Sequence, residues 1–356
     1  MIALMGHILA IESSCDETAA AVVGYGGGLR VKSNIIASQI DAHKIYGGVV
    51  PEIASRKHIE CITQVTEQAL AQGGVGFGEI DAVAVTYAPG LVGALLVGVN
   101  YAKSLAFALK KPLIPVHHIE GHICANYIAS PGLRPPFVCL VASGGHATIA
   151  LAEDDTEYRV LAKTRDDAPG EAFDKIARAL GLGYPGGPAV QEAAKNGRGD
   201  AFQFPRVQFD GSLDFSFSGV KTSVINTLHN YKQKGEEVPV HDIAASFQSA
   251  VVQVLAERLI ACAKKARVKR VALAGGVASN TMLRTLAEQR AKEEGLEFYC
   301  PPPVLCTDNA VMIAARAFYD LRRGKYGKND LNAVAALSLG EREAQASHRE
   351  TTLCKP

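Results

Sequence analysis

The 356 residues contain eight cysteines but no C-x-x-C pair, so neither thioredoxin-type redox chemistry nor a cysteine zinc site is suggested. Cys15, Cys61, Cys124, Cys139, Cys262, Cys300, Cys306 and Cys354 are scattered, which predicts reduced and mostly buried thiols. No G-x-G-x-x-G follows the first strand-like segment and no G-x-x-x-x-G-K-[ST] occurs, which disfavours a dinucleotide fold and a P-loop. Strong charge of one sign is also missing. A net charge of +1 excludes a nucleic-acid binder that works by bulk charge, while a local basic patch stays open. The longest apolar run, Leu91 to Val99, stops at Asn100 and Lys103, short of the roughly 20 residues that span a bilayer. Met1 to Met5 has no basic n-region and no cleavage-site pattern, so no targeting segment is expected. The expectation is a cytoplasmic protein with no membrane partner.

With 48% hydrophobic and 21% charged residues, the composition builds cores, and the length suits two lobes. His7 to Glu12 reads as an apolar strand, 13–18 as a polar turn and Ala19 to Val23 as the returning strand. Gly47-Gly48 turns into a helix that opens at Pro51 and runs towards Leu70. A strand over 80–86 leads through Pro89-Gly90 into an apolar helix ending near Leu109, and Gly93 and Gly98 predict close packing of that helix. The second half repeats the plan. Phe137 to Ala142, the turn Ser143-Gly144-Gly145-His146 and Ala147 to Leu151 form a second hairpin. Lys269 to Ala274 is a second buried strand, ending in Gly275-Gly276 and entering a helix through about Arg290. An internally duplicated α/β protein with a cleft between its halves follows.

The chemistry-bearing residues fall at the breaks in this pattern. In a helix beginning near His118, His118 and His122 lie one turn and about 40° apart, so two imidazoles share one face and can hold one divalent metal. A half-buried helix with two satisfied histidines fits the same spacing. The zincin pattern would need glutamate at Ile119, and its inverted form at Gly121, so Glu120 does not support a protease. Glycine turns at 144–145, 275–276 and 184–188 end strands or open helices, where backbone N–H groups can approach phosphate, and together they favour a nucleotide-like ligand.

Eight ordered blocks then carry a family resemblance. They are Ile11 to Thr18, Gly47 to Glu52, His117 to His122, Ser143 to His146, Gly170 to Lys175, Phe215 to Lys221, Gly275 to Asn280 and Cys306 to Asn309. From Ile8 to Gly340 the chain resembles the TsaD/Gcp (Kae/Qri) family of tRNA N6-adenosine threonylcarbamoyltransferases. Ser13 stands where that family often has threonine, and Ala142 where it often has valine. The resemblance implies a duplicated actin-like, sugar-kinase-like (ASKHA) fold of two lobes, 1–125 and 126–340. A last helix near 308–325 would pack back on the first lobe, and a polar tail over 341–356 would be mobile.

It also implies a reaction: transfer of threonylcarbamoyl from threonylcarbamoyl-AMP to N6 of the adenosine 3′ of the anticodon, in tRNAs reading codons that begin with A. Metal ligation falls on His118, His122 and Asp308, with iron(II) the expected ion and zinc or another divalent metal the alternative. Intermediate binding falls on Val141, Ala142, Ser143, Gly144, Gly145, Asp174, Gly187 and Asn280. A TsaB-like paralogue and a TsaE-like ATPase are the implied partners, with a TsaC-type enzyme supplying the intermediate. The amine needs a base, assigned here to Asp16 or Glu17; loop solvation or organisation of the metal site fits those two acids equally. A sugar kinase would want D-x-G-x-T where this chain has Glu12-Ser13-Ser14-Cys15-Asp16. A non-catalytic nucleotide-binding subunit of a tRNA-modification complex is the alternative function. The runs 264–270 and 322–328 are candidate tRNA contacts, or solvated helix ends.

Overall fold

The computed structural model describes residues 5–207 and 209–341; residues 342–356 of the expected mobile tail, Cys354 among them, lie outside that range. The first half runs β1 (Gly6–Glu12), β2 (Glu17–Tyr25), β3 (Leu29–Ser38), α1 (Ile40–Lys44), α2 (Pro51–Gly73), β4 (Ile80–Ala88), α3 (Val92–Leu109), β5 (Leu113–His117) and α4 (His118–Ala129). The second runs β6 (Phe137–Ala142), β7 (Ala147–Ala152), β8 (Tyr158–Lys163), α5 (Pro169–Ala179), α6 (Gly186–Ala194), α7 (Ser218–Lys234), α8 (Val240–Ala266), β9 (Arg270–Ala274), α9 (Thr281–Glu293), β10 (Glu297–Tyr299) and α10 (Ala310–Arg322).

Strand order β3-β2-β1-β4-β5 in one sheet is matched by β8-β7-β6-β9-β10 in the other. In both, the first hairpin is antiparallel and the later strands add in parallel. The duplication therefore extends to topology, and it adds an outer strand at each edge to the hairpins read from sequence. Both hairpin tips span four residues, 13–16 and 143–146.

Strand parity assigns the layers. Leu9 and Ile11 pack with Val99 and Ala102 of α3, whereas Ile8 and Ala10 pack with Val311, Ile313 and Ala314 of α10. In the second sheet Val138 and Leu140 pack with Phe247 and Val251 of α8, whereas Cys139 and Val141 pack with Ile119 and Ile123 of α4. So α4, which follows the first sheet, covers the second, and α10, which follows the second, covers the first. The boundary expected at 125 falls inside α4, because that helix is buried on both sides and serves both lobes.

Helices α4 and α10 cross at Gly121, where an added Cβ would lie 2.8 Å from Ile313 Cδ1. A fully buried Arg316 ties them as well. Its Nε donates to Glu120 Oε2 at 2.6 Å and its Nη1 pairs with Asp320 Oδ2 at 2.9 Å. Glu120 is thus a counter-ion within the helix pair. Helices α3 and α8 are long and apolar enough to cross a bilayer by length and composition; here α8 is the buried core helix of the second lobe and α3 lies on the first sheet.

Candidate active site and metal centre

Each lobe delivers its chemistry where strands end. His117 caps α4, its Nδ1 accepting the Ile119 N–H at 3.2 Å while Nε2–H faces the Leu337 carbonyl at 3.2 Å. That histidine is structural. The next residue, His118, turns its Nδ1 to Glu12 Oε2 and Ser14 Oγ, both at 3.1 Å, leaving Nε2 directed at Asp308 Oδ1 at 3.6 Å. One turn on, His122 Nε2 lies 3.1 Å from Asp308 Oδ1, and the two imidazoles stand edge to face with centroids 4.6 Å apart.

Asp308 precedes Asn309, whose side chain caps α10 by accepting the Met312 N–H at 3.0 Å. The three side chains therefore come from the beginnings of the two crossing helices. Their donor atoms all lie within 4.8 Å of one another. A tetrahedral ion with bonds of about 2.1 Å wants ligand atoms about 3.4 Å apart, between the two separations seen here. Among the described residues neither nitrogen of the fully buried His122 makes a well-directed hydrogen bond, Nε2 only lying beside Asp308 Oδ1 at 3.1 Å, and a metal on Nε2 would satisfy it. These residues fit a divalent ion.

The electrostatics agree. Burial opposes charge on His118, yet Asp308 and Glu12 outweigh it and hold the imidazolium up at about 9. Burial likewise works against the Asp308 carboxylate, but His118 and His122 hold it well below the usual range. Burial keeps His122 neutral.

Glu12 is the residue that motif reading left without a role. It is fully buried, accepts from Ser14 N and Thr86 Oγ1 at 2.6 Å each, and orients His118. An acid closing an otherwise apolar strand was the available signal. Parity places it on the α10 face with Ile8 and Ala10.

The first tip is clamped from below. Ser13 Oγ donates to the Ala94 carbonyl at 3.0 Å, Gly98 leaves room for that serine, and an added Cβ on Gly90 would lie 2.6 Å from the Ser14 carbonyl oxygen. His58 of α2 supports the other side, Nε2–H to the Cys15 carbonyl at 3.0 Å and Nδ1 accepting from Thr18 Oγ1 at 2.6 Å. Burial, then Asp16 and Asp308, push Glu17 up to about 10, and it hydrogen-bonds to Asp16.

The second tip answers across the cleft. Gly144 and Gly145 are exposed with open space where a Cβ would sit, and the carbonyls of Ser143 and Gly144 accept from Gly170 N and Glu171 N at the start of α5. Asp174 Oδ1 accepts the Gly186 N–H at 2.7 Å and so holds the opening turn of α6, where Gly187 also faces open space. Burial raises both Asp174 and Tyr184, with Asp16 of the first tip adding to it, and Arg178 Nη2 donates to the Gly47 carbonyl, so the lobes meet here. His146 borders the metal group: burial, then His118, His117 and His122, push it down to about 4.

Not every expected ligand-binding side chain points into this space. Val141 and Ala142 are buried strand residues at the end of β6, leading into the second tip. The Asn280 side chain is engaged by the fold, Oδ1 capping α9 through Leu283 N at 3.0 Å and Nδ2 bonding Gln248 Oε1 at 2.8 Å.

A profile of the family described as TsaD, tRNA N6-adenosine threonylcarbamoyltransferase, matches residues 30–315. A Clostridium perfringens protein named tRNA N6-adenosine threonylcarbamoyltransferase is 56% identical over 336 residues, 94% of this chain and 98% of its own length. One of the same name from Clostridium botulinum is 55% identical over 337 residues, again 94% and 98%. Among solved structures, full-length HypF in its phosphate- and nucleotide-bound form superposes with a TM-score of 0.60 at 17% identity, over 89% of this chain and 46% of that one. Component A of the Acidaminococcus fermentans (R)-2-hydroxyglutaryl-CoA dehydratase gives 0.51 at 14% identity, over 89% and 99%. The last two speak for the fold alone.

Proposed function

The chain belongs to the tRNA N6-adenosine threonylcarbamoyltransferase family, and we propose that it works through a divalent metal, iron(II) in first place, held by His118, His122 and Asp308 beside a glycine cradle for threonylcarbamoyl-AMP. The convergence of those three side chains at the crossing of α4 and α10, beside His146 of the second glycine tip, carries this reading. When bound, the ion supplies Lewis-acid polarisation of a substrate oxygen.

The chain's own residues supply the rest. Glu12 fixes His118 with Nε2 towards Asp308. Gly144, Gly145 and Gly187, lacking Cβ atoms, let the acyl phosphate approach the backbone of the second tip and of the opening turn of α6. The adenosine N6 bonds to the carbamoyl carbon, the bond from that carbon to the phosphate oxygen breaks, and AMP leaves with the electron pair. Asp16 receives the amine proton, since Glu17 already carries one at neutral pH. The target is the adenosine 3′ of the anticodon in tRNAs reading codons that begin with A, in the cytoplasm. A TsaB-like paralogue and a TsaE-like ATPase complete the working assembly.

Incubating the purified chain and those partners with threonylcarbamoyl-AMP and unmodified tRNA, followed by nucleoside analysis, tests the reading. Threonylcarbamoyladenosine should accumulate with release of AMP; AMP release without modified nucleoside would overturn it.

A further inference from the structure

We propose that Cys300 and Cys306 are a reversible oxidation site, closing to a disulfide that moves the Asp308 loop. Both thiols are free and in contact with each other. Their sulfurs share one acceptor, the Pro301 carbonyl, at 3.6 Å from Cys300 Sγ and 3.4 Å from Cys306 Sγ. Arg284 of α9 locks the arrangement: Nε donates to the Ala278 carbonyl at 2.6 Å, and Nη2 reaches the Pro301 carbonyl at 2.5 Å and Cys306 Sγ at 3.2 Å. Cys306 is fully buried, whereas Cys300 is partly open to solvent. None of these groups has a part in the transfer described above.

The segment between them, Pro301-Pro302-Pro303-Val304-Leu305, leads directly to Thr307 and Asp308. Hydrogen peroxide converts one thiol to a sulfenic acid with release of one water; the second sulfur attacks the first, and its proton leaves with the hydroxyl as a second water. Two protons and two electrons pass to the peroxide, and a dithiol reductant returns them. Drawing the sulfurs from contact to about 2.05 Å shortens the loop that presents Asp308 to His118 and His122. The consequence for metal rests on the ligand assignment proposed above, while the bond itself does not.

The full chain should be treated with hydrogen peroxide, alkylated and digested with trypsin. Both cysteines fall on one peptide, residues 293–316, which should become lighter by two hydrogens and regain alkylation after dithiothreitol. Cobalt(II) titration of the bridged chain should show affinity about 10-fold to 100-fold weaker than that of the reduced chain. Cys300→Ser, or Cys300→Ala should the serine variant misfold, should make metal binding indifferent to peroxide. An unbridged peptide, or equal affinity in bridged and reduced chains, would overturn the proposal. A reduced chain that binds no cobalt would count against the metal assignment, leaving the disulfide to be judged on peptide mass.

Discussion

At the scale of single residues the site depends on groups that hold the ligands as much as on the ligands. Glu12→Gln keeps the shape but removes the charge facing His118, so cobalt(II) affinity should fall about 10-fold to 100-fold; unchanged affinity would show that Glu12 does not orient the ligand. Glu17 gives a pH signature. Its carboxyl titrates at 4.5 in the unfolded chain and near 10 in the folded one, so the folded state holds an extra proton between them and stability falls as pH rises across that window. Metal-free Glu17→Gln should therefore melt above the wild type at about pH 8 and level with it at about pH 4. Equal melting at both pH values would mean that Glu17 ionises normally. His118, His122 and Asp308 were legible because motif blocks carry them. His146 and Glu12 were quoted without roles, because only the fold shows which atoms they face.

At the scale of elements the centre is made by two helices that exchange lobes. Removing Arg316 as Arg316→Met would leave Glu120 buried and unpaired, a loss of about 3–5 kcal/mol measurable by urea unfolding, much of it recovered by adding Glu120→Gln. Recovery should extend to metal binding, since the pair sets how α4 meets α10. If the double variant is as unstable as the single one, the pairing argument fails. Sequence periodicity revealed the hairpins, the helix from Pro51 and the helix after Asn280, because continuously buried strands and helices with a proline or asparagine at their start leave clear signals. It missed the outer strands. β3 mixes exposed and half-buried residues along an edge, and β10 has three residues, too few for a period to register. The crossing of α4 and α10 could not be read either, since Gly121 declares its purpose only when Ile313 is seen against it.

For the whole molecule, duplication explains why His118, His122 and Asp308, separated by about half the chain, meet: each half ends its sheet in a helix, and the two helices pack as counterparts. The tRNA must be held by local charge, and the basic runs are partly spent within the fold. Lys264 pairs with Glu294 at 2.6 Å and Arg270 with Glu297 at 3.6 Å, while Arg323 pairs with Asp154 at 3.2 Å and donates to Thr156. Arg322, over the Phe318 ring at 5.6 Å, is the cleaner probe. Arg322→Glu should weaken tRNA binding and lower the slope of log K against log salt by about one, with binding of threonylcarbamoyl-AMP intact. An unchanged slope would place the tRNA elsewhere. The central claim, that one metal held by both lobes carries the transfer, is tested most directly by metal content per chain in wild type and Asp308→Ala, with folding checked by circular dichroism. The account predicts about one divalent ion per wild-type chain and clear loss in the variant with the fold intact. Full metal in a folded Asp308→Ala would contradict it.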